Sequence, residues 1–282
     1  MTVSDEILVE IKRCYQRDYN GVNNLPLDKI ANDFVSETRM KEQIDVLLRY
    51  VGDLEGKKIL ELGSGYGGFI VATRERGFDA YGLEPDKDCY EISLKLLKLN
   101  GFPEDIITLG KGENIPYSDE SFDVIYSTQV LEHVQDPKKV LKEAIRVIKK
   151  GGYLQFVIPN YASFYEGHYG IFWIPYLPKV VAKLYVRLYG RNYSLIERLN
   201  FINLGWLKRC FKQFNNIEVL GWGIDLFEER MKSLEFSEWA DLGKIKKWLK
   251  FLKKLGMLEG IRIISKWFGF YNPIILTIKK NG

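Results

Sequence analysis

A chain of 282 residues with 46% hydrophobic and 28% charged side chains can bury a sizeable core, as one large domain or two small ones. A net charge of +4 is too small to argue for nucleic-acid binding, and no uncharged apolar run is long enough for a membrane span or a secretion signal. Cys14, Cys89 and Cys210 lie far apart without a C-x-x-C pair, as expected of reduced, buried thiols in a cytoplasmic chain.

"RMKEQIDVLLRYV" (39–51) reads as an amphipathic helix leading into a first strand, "KKILEL" (57–62). A helix follows in "GGFIVATRERG", then a strand "DAYGLE" (79–84) and a helix from Lys87 to Leu99. "IITLG" (106–110) and "FDVIYS" (122–127) are further strands. "DPKKVLKEAIRVIKKGG" is the clearest helix. Asp136 can cap it, Pro137 suits its first turn, and Val140, Leu141, Ala144, Ile145 and Ile148 share a face, with Gly151 as the stop. "YLQFVIP" (153–159) closes the alternating series, whose helical crossovers imply a parallel sheet covered on both faces. Residues 160–200 are aromatic and proline-rich, an insertion rather than another repeat of the unit. "LGWLKRCFKQF" resumes a helix, "NIEVLGW" a strand, and "NPIILTIKK" (272–280) a terminal strand.

The glycines of "ILELGSGYGG" fit G-x-G-x-x-G spacing at Gly63, Gly65 and Gly68, a loop for close backbone approach to a ligand. Open parallel sheets bind ligands at this first turn. Glu61 decides between ligands. A carboxylate there would repel a dinucleotide's pyrophosphate, whereas S-adenosylmethionine (SAM) brings an ammonium and a sulfonium. Glu84, at the end of the second strand and 21 residues beyond Gly63, suits a ribose and fits either cofactor.

"ILELGSGYGGFIVATRERGFDAYGLEPDKD" and "GENIPYSDESFDVIYSTQVLEHVQDPKKVLKEAIRVIKKGGYLQFVIPN" together resemble the class I SAM-dependent methyltransferases, closest to the small-molecule O-methyltransferases related to ubiquinone biosynthesis. The resemblance covers roughly residues 57–160. It implies a Rossmann-like α/β fold: a seven-stranded, mostly parallel sheet with an antiparallel last strand, supplied by "NPIILTIKK", and helices on both faces. The chain is expected to divide into an N-terminal helical cap (1–56) and a SAM-binding domain (57–282), with a substrate-side helical and aromatic insertion (160–200) and a second helical insertion (225–268). By position, Glu61, Gly63, Ser64, Gly65, Tyr66 and Gly67 would wrap the methionine part, and Glu84 with Pro85 would hold the ribose. Gly112, Glu113 and Asn114 would border the adenine, and Gln129 would sit beside the methionine end. Lys111 departs from the pattern, because many relatives carry there an acid that meets the adenine amino group. A lysine cannot accept that hydrogen bond.

Transfer to a hydroxyl needs alignment and a proton acceptor. The chain has two histidines, His133 in "LEHV" and His168 in "YEGHYG", both placed after strands that end at the binding edge. They are the catalytic candidates, with Glu132, Glu166, Tyr165 and Tyr169 as secondary ones. No metal is expected, because the histidines and carboxylates show no ligand spacing.

Two basic amphipathic segments follow. "PKVVAKLYVRLYGR" sets Lys179, Lys183 and Arg187 on one stripe, and "GKIKKWLKFLKKLG" sets Ile245, Trp248, Leu249, Leu252 and Leu255 against six lysines. They read as helices docked on their own domain, with peripheral membrane contact as the alternative. The expectation is therefore a cytoplasmic or membrane-associated SAM-dependent methyltransferase. It acts on oxygen of a small or lipid-linked acceptor, a sugar precursor or quinone-like molecule, and not on nucleic acid. An NAD(P)-dependent oxidoreductase and a non-catalytic SAM-binding regulator are the rivals. Amino methylation of nucleic acid is disfavoured, since "STQV" stands where an N-P-P-Y-type tetrad would be.

Overall fold

The computed structural model describes residues 1–19, 25–234 and 243–282, with side chains of the last segment from Leu249 onward. Three helices come first, α1 (Asp5–Asp18), α2 (Leu27–Phe34) and α3 (Glu37–Val51). The alternating unit follows as β1 (Lys58–Leu62), α4 (Gly68–Glu75), β2 (Asp79–Glu84), α5 (Lys87–Leu99) and β3 (Ile107–Leu109). It continues with β4 (Phe122–Thr128), α6 (Pro137–Val147) and β5 (Ile148–Ile158). The insertion carries a short hairpin, β6 (Tyr165–Glu166) and β7 (Ile171–Phe172), then α7 (Lys179–Leu188) and α8 (Ser194–Arg198). After it come α9 (Leu204–Phe211), β8 (Ile217–Gly221), α10 (Ile224–Ser233), α11 (Gly243–Lys254), α12 (Leu258–Phe268) and β9 (Ile274–Lys280).

Seven strands form one sheet in the order β3-β2-β1-β4-β5-β9-β8, and β9 runs antiparallel to both neighbours. The order reverses at β1, so the carboxyl ends of β1 and β4 flank the crevice where such sheets bind ligands. Because side chains alternate along a strand, Ile59 packs with α1–α5 on one face while Leu60 and Leu62 pack with α6 and α9 on the other. Glu61 shares the face of Ile59 by the same alternation. It therefore points toward the N-terminal helices.

Helix α6 shows how the local sequence sets an element. Asp136 accepts hydrogen bonds from the amides of Lys138 and Lys139 at 3.0 and 3.1 Å, a cap worth about 1 kcal/mol. Val140, Leu141, Ala144 and Ile145 are buried, each large aliphatic contributing roughly 1.5–3 kcal/mol. The expected end differs. Ile148 leaves the helix and pairs with Phe122 as the first residue of β5, and Gly151 lies within that strand rather than stopping the helix. Sheet pairing outcompetes a fourth helical turn here, helped by the Lys149–Asp123 ion pair at 2.8 Å.

Where β5 ends, Asn160 anchors the insertion. Its buried side-chain amide donates to the carbonyls of Gly269 and Tyr271 at 2.7 and 2.6 Å, and its Oδ1 accepts from Ala162 N at 3.0 Å. The insertion has its own small core around Trp173, with Tyr161, Tyr169, Ile171, Ala182, Val186 and Leu195. It is a packed wall, built to hold the hairpin in one place. All three cysteines are free and buried, as expected.

Candidate active site

The glycine loop joins β1 to α4. Gly63 has φ +71°, and a Cβ there would meet Val130 Cγ2 at 2.3 Å, so no other residue fits. Gly65 has φ +54° but faces open space, with nothing within 4 Å of a built Cβ. That side of the loop is free for a ligand. Glu84 braces the loop: its Oε2 accepts from Gly65 N at 2.7 Å and its Oε1 from Asp86 N at 2.9 Å. Pro85 lies between these anchors. Asp86 caps α5 through Cys89 N and pairs with Arg17 of α1 at 2.9 Å. The first helix is thereby tied across the loop.

Glu61 is 3% exposed, and its Oε2 has no hydrogen-bond partner among the described residues. Burial first, and the nearby Glu84 second, hold its carboxyl well above the ordinary carboxylate range, against the pull of Arg39. Burial likewise lifts Glu84 to about 7, against the hydrogen bonds it accepts from Asp86 and Gly65. Two buried acids with raised pKa values thus stand beside the glycine loop, a setting typical of functional sites. Ser64 Oγ, also buried, has no partner among the described residues either. Tyr66 packs edge-on against Phe34 of α2 with ring centroids 5.0 Å apart, and Gly67 caps α4 at φ +83°. At the end of β4, Gln129 holds a left-handed backbone at φ +54°, rare outside glycine and costing of order 1–3 kcal/mol.

Beyond β3, Gly112 lies against Val140, 3.3 Å from a built Cβ, and Asn114 closes a turn onto Lys111 O at 3.0 Å. Glu113 faces the start of α6, where its Oε1 accepts from Gln135 N and Asp136 N at 2.8 and 3.3 Å.

Past the carboxyl end of β4, the fold unites residues far apart in sequence. His133 Nε2 and His168 Nε2 are 3.3 Å apart. His168 Nδ1 lies 2.6 Å from Glu166 Oε1, and Glu166 Oε2 accepts from Tyr169 N at 2.7 Å. Burial opposes protonation of His168, but the charge and hydrogen bond of Glu166 outweigh it, so its pKa lies above the ordinary value. His133 is held below its ordinary value, first by its partly covered setting and then by His168. Glu132 is 0% exposed, and neither carboxylate oxygen has a hydrogen-bond partner among the described residues. Its Oε1 lies 3.7 Å from His133 Nε2. Burial raises it to about 7.

Three contributors escape sequence reasoning. Tyr19 stacks on His168 with centroids 6.2 Å apart and on Tyr15 at 4.2 Å. Arg39, from α3, stands over the Phe34 ring at 4.9 Å and lies close enough to Glu61 to favour its charge. All come from the N-terminal helices, where no motif marks them.

The chain matches the family described as a methyltransferase domain over residues 35–216, and it belongs to that family. SAM is the cofactor of this class, and the dinucleotide reading lapses. The chain is 34% identical over 113 residues to the sarcosine/dimethylglycine N-methyltransferase of Aphanothece halophytica, covering 37% of this chain and 38% of that protein. It is 27% identical over 206 residues to the demethylmenaquinone methyltransferase of Bacillus velezensis, covering 70% of this chain and 80% of the relative. Its fold is similar to phosphoethanolamine N-methyltransferase 2 of Haemonchus contortus, solved with phosphomonomethylethanolamine and S-adenosylhomocysteine. The TM-score is 0.55 at 17% identity, covering 100% of this chain and 61% of that one. Across the first curated relatives it matches, this chain spans 38–62% of their length.

Proposed function

We propose that this protein transfers the methyl group of SAM to an oxygen nucleophile of a small amphiphilic acceptor, lipid-linked or quinone-like. The observation that carries the reading is the Glu166–His168–His133 chain, which joins the β6–β7 hairpin to the segment just after β4, the strand paired with β1. In this reading Glu61 takes the ammonium of SAM and Glu84 the ribose hydroxyls. The Arg39 guanidinium suits the methionine carboxylate. Ser64, Gly65, Tyr66 and Gly67 wrap the amino-acid part, Gly112 and Asn114 border the adenine, and Gln129 borders the methionine end. Glu113 supports that edge by holding the chain before α6. Glu166 holds the proton on His168 Nδ1, which would leave the Nε2 lone pair to take the acceptor hydroxyl's proton as the new C–O bond forms and the methyl–sulfur bond of SAM breaks, with S-adenosylhomocysteine as the leaving group. The experiment is incubation with acceptor extracts and methyl-labelled SAM, followed by mass spectrometry. A labelled ether, dependent on His168, is expected; label on nitrogen would overturn the oxygen assignment.

The cofactor assignment has a pH signature. Glu84, at about 7, and Glu61, held well above the ordinary carboxylate range by its burial, both resist ionisation in the free protein. An ammonium and two hydroxyl donors favour the ionised acids, so binding expels protons. Calorimetry in buffers of different ionisation enthalpy should show release strongest at about pH 6–7. For the free protein the sign is the reverse of an ordinary ion pair. The stability these raised acids contribute is present below the usual carboxylate value and is lost as pH rises through about 7.

An amphiphilic acceptor is supported by a partly exposed aromatic cluster on the hairpin that carries Glu166 and His168. Phe164 stacks on Phe172 at 5.9 Å and meets Phe270 at 5.2 Å, while Phe270 contacts Phe268 at 5.6 Å. Trp267 is 84% exposed alongside them, and α7 leaves Val180, Leu184 and Leu188 exposed. Among the described residues no helix is long and apolar enough to cross a membrane. The face of α11 lies partly outside the described side chains, since Ile245 and Trp248 are not among them. Co-sedimentation with anionic vesicles at low salt is expected. Full recovery in the supernatant would remove membrane contact.

A further inference from the structure

We propose that Glu132, His133 and His168 form a binding site for one divalent transition-metal ion, Zn²⁺ foremost, on the acceptor side of the pocket. The ligand atoms of these three residues all lie within 4.8 Å of one another. Two nitrogens bound tetrahedrally to zinc at about 2.0–2.1 Å sit about 3.4 Å apart. The two Nε2 atoms here are 3.3 Å apart, and Glu132 Oε1 is 3.7 Å from one of them. An ion between them needs only small side-chain adjustments.

The second observation is independent of that spacing. Both carboxylate oxygens of Glu132 are buried without a hydrogen-bond partner among the described residues, on a side chain that is 0% exposed. A buried carboxylate without partners is costly, and a cation at its open side removes the cost. The support around the cluster also fits. Glu166 receives His168 Nδ1 at 2.6 Å and is itself fixed by Tyr169 N, so the Nε2 lone pair is turned toward the cluster. A carboxylate behind a histidine is the usual way a protein orients a metal-binding imidazole. His133 is 34% exposed, which leaves one flank open for a fourth ligand, water or an acceptor oxygen.

The donor set of two nitrogens and one oxygen suits zinc and its first-row neighbours better than Mg²⁺ or Ca²⁺, which favour all-oxygen shells. The absence of a metal expected from sequence rested on spacing along the chain. His133 and His168 are 35 residues apart, and only the packed hairpin brings them together. The site itself stands on geometry, while its use rests on the methyl-transfer reading above: with the ion bound, His168 Nε2 is a ligand, and the ion, by lowering the pKa of an acceptor hydroxyl, takes over from that imidazole the task of activating the oxygen.

The test uses the full chain, stripped with a chelator and titrated with Co²⁺, whose visible absorption reports few-coordinate nitrogen and oxygen ligation. One equivalent is expected, displaced by Zn²⁺. Glu132→Gln and His168→Ala should each lose at least tenfold in affinity. Glu166→Gln keeps all three ligands and should lose about 10–100-fold. Should Glu132→Gln fail to fold, as read by thermal unfolding, His133→Ala carries the test, since its side chain reaches solvent. No saturable uptake by the unsubstituted protein, or uptake unchanged in the folded ligand variants, overturns the proposal. A SAM titration of the metal-free protein separates the two readings. Failure there strikes the cofactor assignment and leaves the cation site standing, while lost Co²⁺ uptake with SAM binding intact strikes the cation site alone.

Discussion

Glu61→Gln is expected to weaken SAM binding by about 10²-fold or more, the scale for removing one partner of a buried charge pair. The substitution keeps the shape of the side chain and removes its charge. Glu61 lies buried on β1, on the face turned toward α1–α3, with no hydrogen-bond partner for Oε2 among the described residues. Ionising it is costly in the free protein, where burial favours the protonated acid, and that cost is offset when a cation arrives. Glu61→Gln should therefore hold or raise the melting temperature while affinity collapses, a split that a merely structural residue would not give. Glu84→Ala should also weaken binding. It should cost stability too, because Glu84 bonds Gly65 N and Asp86 N. Calorimetric titration of both variants reads the outcome, and unchanged affinity in the pair would refute the pocket.

His168→Ala is expected to lower turnover by about 10²–10⁴-fold, the contribution of a positioned proton acceptor, with SAM affinity unchanged. His168 sits in the turn between β6 and β7, in contact with Glu166, His133 and Tyr19. Glu166→Gln should reproduce part of the loss by releasing the imidazole from its fixed orientation. Single-turnover rates with saturating SAM separate this from a binding defect. Equal turnover in His168→Ala would place the chemistry elsewhere.

Much of the sheet could be read from residues alone. β2 and α5 fall at the expected boundaries, because the short apolar run between the polar ends of "DAYGLE" and a helical period from Lys87 to Leu99 are strong local signals. The glycine loop was equally legible, since Gly63 is forced by both its φ and Val130. The end of α6 was not. Helical periodicity ran on through Ile148, and a long-range strand pairing with Phe122 overrode it. The acceptor side was legible only as a set of residue types. His133, His168, Glu132 and Glu166 were visible as candidates, but β6 and β7 are two residues each and carry no periodicity to reveal a hairpin. Arg39 and Tyr19 were invisible for a related reason: they lie on ordinary amphipathic or polar helices, and their positions follow only from how those helices cover the sheet.

The most direct test is equilibrium dialysis of the protein with methyl-labelled SAM, with and without a large excess of NAD. Saturable binding of one SAM per chain is expected, unaffected by NAD and lost in Glu61→Gln. Displacement of the label by NAD, or retention of full affinity in Glu61→Gln, would contradict the account.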